Sequence, residues 1–140
     1  MSKIRKNSEQ KLSTFKAAKV NISLSWQYMT TNKSFTLDYF KSDIRRKCQA
    51  MDAIFELVHE ISSHDWIEIL SRNKRTFGGC ESLKVKQINF LPCGYELSSD
   101  EKILSFRFSN QEYRLLGIQK KDILYVIGYD FSYSAYAHGH

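Results

Sequence analysis

The chain is short of the residues that break or staple a fold. One proline and six glycines in 140 residues exclude a collagen-like or Pro/Gly-rich disordered chain. No internal repeat or low-complexity segment is present. Cys48, Cys80 and Cys93 are odd in number and lack a C-x-x-C spacing, so neither a disulfide framework nor a zinc ribbon is indicated. The histidines His59, His64, His138 and His140 form no ligand spacing, His59 and His64 being five apart and off one helical face. Neither a metal site nor a cofactor is expected. No apolar run approaches the roughly 18–20 residues of a membrane span, and the basic N-terminus lacks the apolar stretch of a signal peptide. The expectation is a cytoplasmic chain with no membrane partner.

What is present is core-forming material: 42% hydrophobic and 14% aromatic residues, enough for one domain. The net charge of +6 is local. Residues 1–19 hold Lys3, Arg5, Lys6, Lys11, Lys16 and Lys19 against Glu9, leaving 15 bases and 14 acids in the body. Residues 1–18 are read as a basic flexible leader and 19–140 as a single domain. A second basic stretch carries Arg72, Lys74, Arg75, Lys84 and Lys86 against Glu81. An arm and a patch of this kind bind phosphates; a solvated tail and a solvated loop have the same composition.

The expected architecture is α+β: an N-terminal strand, one long and one short helix, then a curved antiparallel sheet of about four strands. Val20, Ile22, Leu24, Trp26 and Tyr28 alternate with polar residues, which predicts a strand with one buried face. From about Thr36 the period lengthens, and Ile44, Cys48, Met51, Phe55 and Val58 form a helical stripe expected to face the core. Residues 65–71 are expected as a short helix capped by Ser63, with either Ile67 and Leu70 or Trp66 and Ile69 turned inward. Residues 72–81 make a loop with the Gly78-Gly79 pair, and 83–90 a strand carrying Lys84 and Lys86 on one face.

Residues 103–130 organise the rest, as three strands joined by polar turns at 109–112 and 119–122. If the first turn closes with two or four residues, Phe108 faces Tyr113 and Arg107 faces Arg114. Like charges directly opposite are destabilising, so the pair invites an anion, and Arg114→Leu is expected to leave the fold intact or slightly more stable. Alternatively each arginine pairs with a carboxylate such as Glu112 or Asp130. The C-terminal stretch, with Tyr133, Tyr136 and His138, either covers the core edge or brings Tyr136 and His138 beside the arginines, where either could transfer a proton.

The order strand, helix, helix, antiparallel strands, together with Tyr113-Arg114-Leu115-Leu116, Leu124-Tyr125-Val126-Ile127 and a terminal Tyr136, resembles the RelE/ParE-like toxin superfamily over roughly residues 55–138. The resemblance implies an mRNA endoribonuclease of a toxin–antitoxin pair, independent of metal. Arg114 then corresponds to the arginine of a "YRL" strand that contacts the scissile phosphate, Arg107 to a base on the preceding strand, and Tyr136 or His138 to the proton-transfer residue. The implied partners are RNA, free or on the ribosome, and a cognate antitoxin protein. ParE-type members share the scaffold as gyrase poisons. The leader, the first strand and the nearly neutral body depart from the usual toxin. The alternative is a non-catalytic module that holds nucleic acid or an acidic protein through the leader and Arg72, Lys74, Arg75, Lys84 and Lys86.

Overall fold

A computed structural model describes residues 20–136; the leader and His138 lie outside them. The architecture is α+β, a five-stranded mixed sheet with two helices on one face. The strands are β1 (Ser23–Ser25), β2 (Cys80–Lys84), β3 (Lys102–Phe108), β4 (Tyr113–Lys120) and β5 (Ile123–Asp130), in spatial order β1-β5-β4-β3-β2. Only β1 runs parallel to its neighbour, β5. The helices are α1 (Ile44–Ser62) and α2 (Trp66–Leu70).

Local chemistry sets the element ends. Asp43 caps α1 by accepting from the Arg46 amide at 3.1 Å, and Asp65, rather than Ser63, caps α2 by accepting from the Glu68 amide at 2.9 Å; both satisfy donors that no intrahelical carbonyl can reach. Thr36 caps only a single turn of 3₁₀ helix, Leu37–Phe40, which ends at Lys41 with φ of 54°. The long helix therefore starts eight residues later than the periodicity implies. In α2 the inward pair is Trp66 and Ile69.

Three expectations are corrected. The first strand keeps only its middle: Ile22 is buried, but Val20 and Trp26 are about 40% exposed, because an edge strand has a partner on one side only and the chain turns after Ser25. The strand expected at 83–90 is displaced to Cys80–Lys84 and followed by a 3₁₀ turn, Val85–Gln87. The stripe of α1 is also reversed. Ala50, Ile54, Leu57 and Ile61 enter the core, while of the expected stripe Ile44, Cys48, Met51 and Phe55 face solvent and Val58 alone packs against the core. Both lines have helical spacing, so period alone does not choose between them.

Along β3 the pleat alternates two cores. Leu104, Phe106 and Phe108 pack with Ile54, Leu57, Ile61, Trp66 and Ile69 on the helix side. On the other side Ile103 joins Leu116, Ile118, Ile127, Phe35, Phe90 and Tyr136. The sheet is thus covered on both faces, by helices on one and by irregular chain on the other. Phe35 and Phe90 stack at 4.5 Å there, and Phe90 lies on Gly128, where a β-carbon would come within 2.6 Å of the ring. Among the described residues no helix is long and apolar enough to cross a membrane.

Candidate functional site

The four-residue turn at 109–112 closes β3 onto β4 with Phe108 opposite Tyr113 and Arg107 opposite Arg114. Three consecutive turn residues, Ser109, Asn110 and Gln111, have φ between 52° and 66°. Asp130 on β5 is the register partner of Arg114. Arg107, Arg114 and Asp130 therefore make one row across three strands, on the face away from the helices.

Asp130 shapes what lies over that row. Its carboxylate accepts from the backbone amides of Ser132, Ser134 and Ala135, at 3.2, 3.0 and 3.1 Å. These bonds fold the chain back across the sheet, where Ile88 and Tyr136 form an isolated bridge and the Asn89 amide donates to the Ala135 carbonyl at 2.8 Å. Tyr136 is delivered to the arginine face in this way. Its hydroxyl is 2.8 Å from Ser105 Oγ and donates to Glu81 Oε1 at 3.1 Å. Burial raises the phenol above its ordinary range, opposed by the hydrogen bond with Ser105 and by Arg114, and reinforced by the charge of Glu81. It is a proton donor at neutral pH.

The two arginines are held differently. Arg114, only 1% exposed, donates through Nη1 to the carbonyls of Gln111 and Tyr113 at 2.7 and 3.1 Å, and through Nη2 to the Tyr133 hydroxyl at 2.7 Å. The Tyr133 ring lies over its guanidinium at 4.6 Å. Arg107 is nearer solvent, with Nη2 3.8 Å from Glu81 Oε1 and Nη1 donating to Gln111 Oε1 at 3.3 Å. Both Nε atoms are buried and without a hydrogen-bond partner among the described residues. Repulsion between the pair is thus met by the groups around it. Arg114→Leu takes the donor away from three acceptors, which argues for a loss of stability where relief of the repulsion alone argues for a neutral or stabilising effect.

The second basic stretch does not assemble. Arg72 is held by Glu60 Oε2 and the Phe77 carbonyl at 2.7 and 2.9 Å, tying α1 to the loop after α2. Lys74 approaches Glu81 at 3.5 Å, at the margin of the arginine row. Arg75 is exposed, and its carbonyl accepts from the Gln111 side chain at 2.9 Å. Lys84 and Lys86, at the far end of β2, line a shallow cleft with Asp100 and Glu101. Burial, with Glu81 beside it, pushes the Cys80 thiol up to about 11, which disfavours the thiolate at neutral pH.

Glu81 and Ser105 are site residues that sequence reasoning missed. Glu81 stands out only as the lone acid in a basic stretch, and Ser105 as a polar break in an apolar strand; their meeting depends on β2 pairing with β3, where Glu81 is opposite Ser105. The arrangement gathers two permanent cations, a carboxylate and a protonated phenol on one face. Comparison with family models, curated proteins and solved structures found no match for this chain.

Proposed function

We propose that the chain is a metal-independent endoribonuclease acting on mRNA, the toxin of a toxin–antitoxin pair in the cytoplasm, with the Arg107–Arg114 row as its phosphate site. The observation that carries the reading is the cross-strand arginine pair, with both Nε–H groups unpartnered among the described residues and the Tyr136 hydroxyl on Glu81 beside it. In such a reaction the RNA's own 2′-hydroxyl attacks the adjacent phosphorus, and the bond to the 5′-oxygen breaks. The protein has to orient the phosphate, stabilise its added negative charge and move two protons. Two guanidinium forks supply the charge in fixed geometry. In this reading Glu81 accepts the proton of the 2′-hydroxyl, and Tyr136, whose hydroxyl donates to Glu81 in the free chain, delivers one to the leaving oxygen. The products are a 2′,3′-cyclic phosphate and a 5′-hydroxyl.

The substrate reaches Arg107 first. Contact with Arg114 requires the Tyr133 side chain to swing aside, and Tyr133 is about half exposed with φ of 64°, a backbone state that stores strain in a residue with a β-carbon. The alternative, a non-catalytic module on the basic leader and residues 72–86, gains no support from Arg72, Lys84 and Lys86, which are dispersed; the leader lies outside the described residues.

Conditional expression and in vitro cleavage test the proposal together. Induced wild-type protein should arrest growth, and purified protein should cut RNA, with or without ribosomes, in the presence of a chelator. Arg107→Ala and Arg114→Lys should each lower cleavage by about 10²–10³-fold. A folded wild-type chain that leaves both RNA and growth untouched overturns the reading. Arrest with intact RNA and inhibited gyrase assigns the scaffold to the gyrase-poison class instead.

A further inference from the structure

Helix α1 is apolar on two sides, and the fold uses only one. Ile44, Cys48, Met51 and Phe55 run along the other at steps of four, three and four. Ile44 is 63%, Met51 39% and Phe55 68% exposed; Cys48 is exposed too. Val58, three residues further, is half-buried and packs against the core, so the open line ends at Phe55. Alternating steps of four and three average 3.5 residues, the spacing that stays on the seam between two packed helices. At 1.5 Å per residue the line is about 16 Å long.

The charges beside this line are segregated. Arg45, Arg46 and Lys47 occupy the first turn, where the helix dipole disfavours cations, and Asp52, near the middle, and Glu56 follow. Arg46 rests over the Phe40 ring at 5.1 Å and Lys47 is 4.0 Å from Asp38. Arg45 and Asp52, the two charges flanking the apolar line, are both exposed.

We infer that this face packs against the same face of a second copy, α1 against α1, antiparallel about a two-fold axis. In that register Ile44 meets Phe55 and Cys48 meets Met51 across the seam, and Arg45 of each copy lies beside Asp52 of the other. In a parallel two-fold pair the flanking charges of the two copies lie on opposite sides of the seam and do not meet, so only the antiparallel pair brings Arg45 beside Asp52, and charge selects it. A two-fold contact needs a self-complementary patch, and this one has its bases at one end and its acids toward the other. The arginine row lies on the opposite face of the sheet from the helices and stays open in the dimer.

Sedimentation equilibrium of the full chain tests the pairing. An interface below the standard size of about 800 Å² per partner should give reversible dimers with a dissociation constant on the order of 10 μM. Phe55→Glu should weaken association by about 100-fold with an unchanged circular-dichroism spectrum, because the side chain is exposed. Arg45→Asp should weaken it by roughly 5-fold, and adding Asp52→Arg should restore it. Met51→Cys under mild oxidant should give a covalent dimer whose cross-link maps to positions 48 and 51, within disulfide reach across a helix pair. A chain that stays monomeric up to about 200 μM, some twenty times the expected constant, overturns the inference. So does a dimer indifferent to Phe55→Glu, or a cross-link that maps elsewhere.

Discussion

Arg114 shows how one buried cation is stabilised by its surroundings. It is held by the Gln111 and Tyr113 carbonyls and the Tyr133 hydroxyl, with buried Asp130 next to it in register. Replacing it with leucine removes a cation from a buried polar row, and the expected cost is roughly 2–4 kcal/mol, seen as a lower denaturation midpoint with an unchanged m-value. Tyr133 covers this arginine from a strained backbone position. On the proposed ribonuclease reading, Tyr133→Ala removes the ring that a substrate phosphate would displace, so kcat/KM for RNA cleavage should rise, by about 3–10-fold if opening costs on the order of 1 kcal/mol. Unchanged or lower cleavage, with the fold intact, would mean that the ring belongs to the binding surface rather than covering it.

At the level of elements, hairpins and helix faces carry separable energies. The β4–β5 turn is the two-residue Lys121-Asp122, with Lys121 at φ of 54°. Two-residue hairpins with positive φ at the first position favour glycine there. Lys121→Gly should therefore raise stability by about 0.5–1 kcal/mol, read as a thermal midpoint a few degrees higher. On α1 the two apolar lines separate by truncation. Ile54→Ala should cost about 2–4 kcal/mol because Ile54 is in the core, whereas Phe55→Ala should change monomer stability by less than about 0.5 kcal/mol, both measured by chemical denaturation of dilute protein.

Over the whole molecule, a few ion pairs join elements distant in sequence. Glu60 at the end of α1 bonds Arg72 and lies 3.3 Å from His64. The hydrogen bond from Arg72 is the main reason its carboxyl sits below its ordinary value of 4.5, with burial opposing and His64 helping. A lowered folded-state value means the contribution is complete above the ordinary value and is lost as pH falls through the lowered one. The pair is partly solvated, so the contribution is about 0.5–1 kcal/mol. Thermal melts from pH 7 down to pH 3 should lose less stability in Glu60→Gln than in the wild type, with the difference developing below the ordinary value. Parallel pH profiles would show that Glu60 contributes no titration-linked stability.

The sequence by itself determined the parts that depend on near neighbours. The three-strand run at 103–130 and the opposition of Arg107 and Arg114 follow from period-two patterning and the length of one turn, because a short turn transmits register directly to its strands. The presence of two helices followed from spacing for the same reason. Only the tertiary structure decided which line of α1 faces inward, since Ala50-Ile54-Leu57-Ile61 and Ile44-Cys48-Met51-Phe55 have the same spacing and the choice depends on residues brought in by the sheet. It also decided that Glu81 and Ser105 join the arginine face, through a β2–β3 pairing between residues 24 apart in the chain. The folding-back of Tyr136 is of the same kind: the Asp130 carboxylate collects three amides, and the hydroxyl then reaches Glu81, 55 residues away, a distance over which local patterning carries no information.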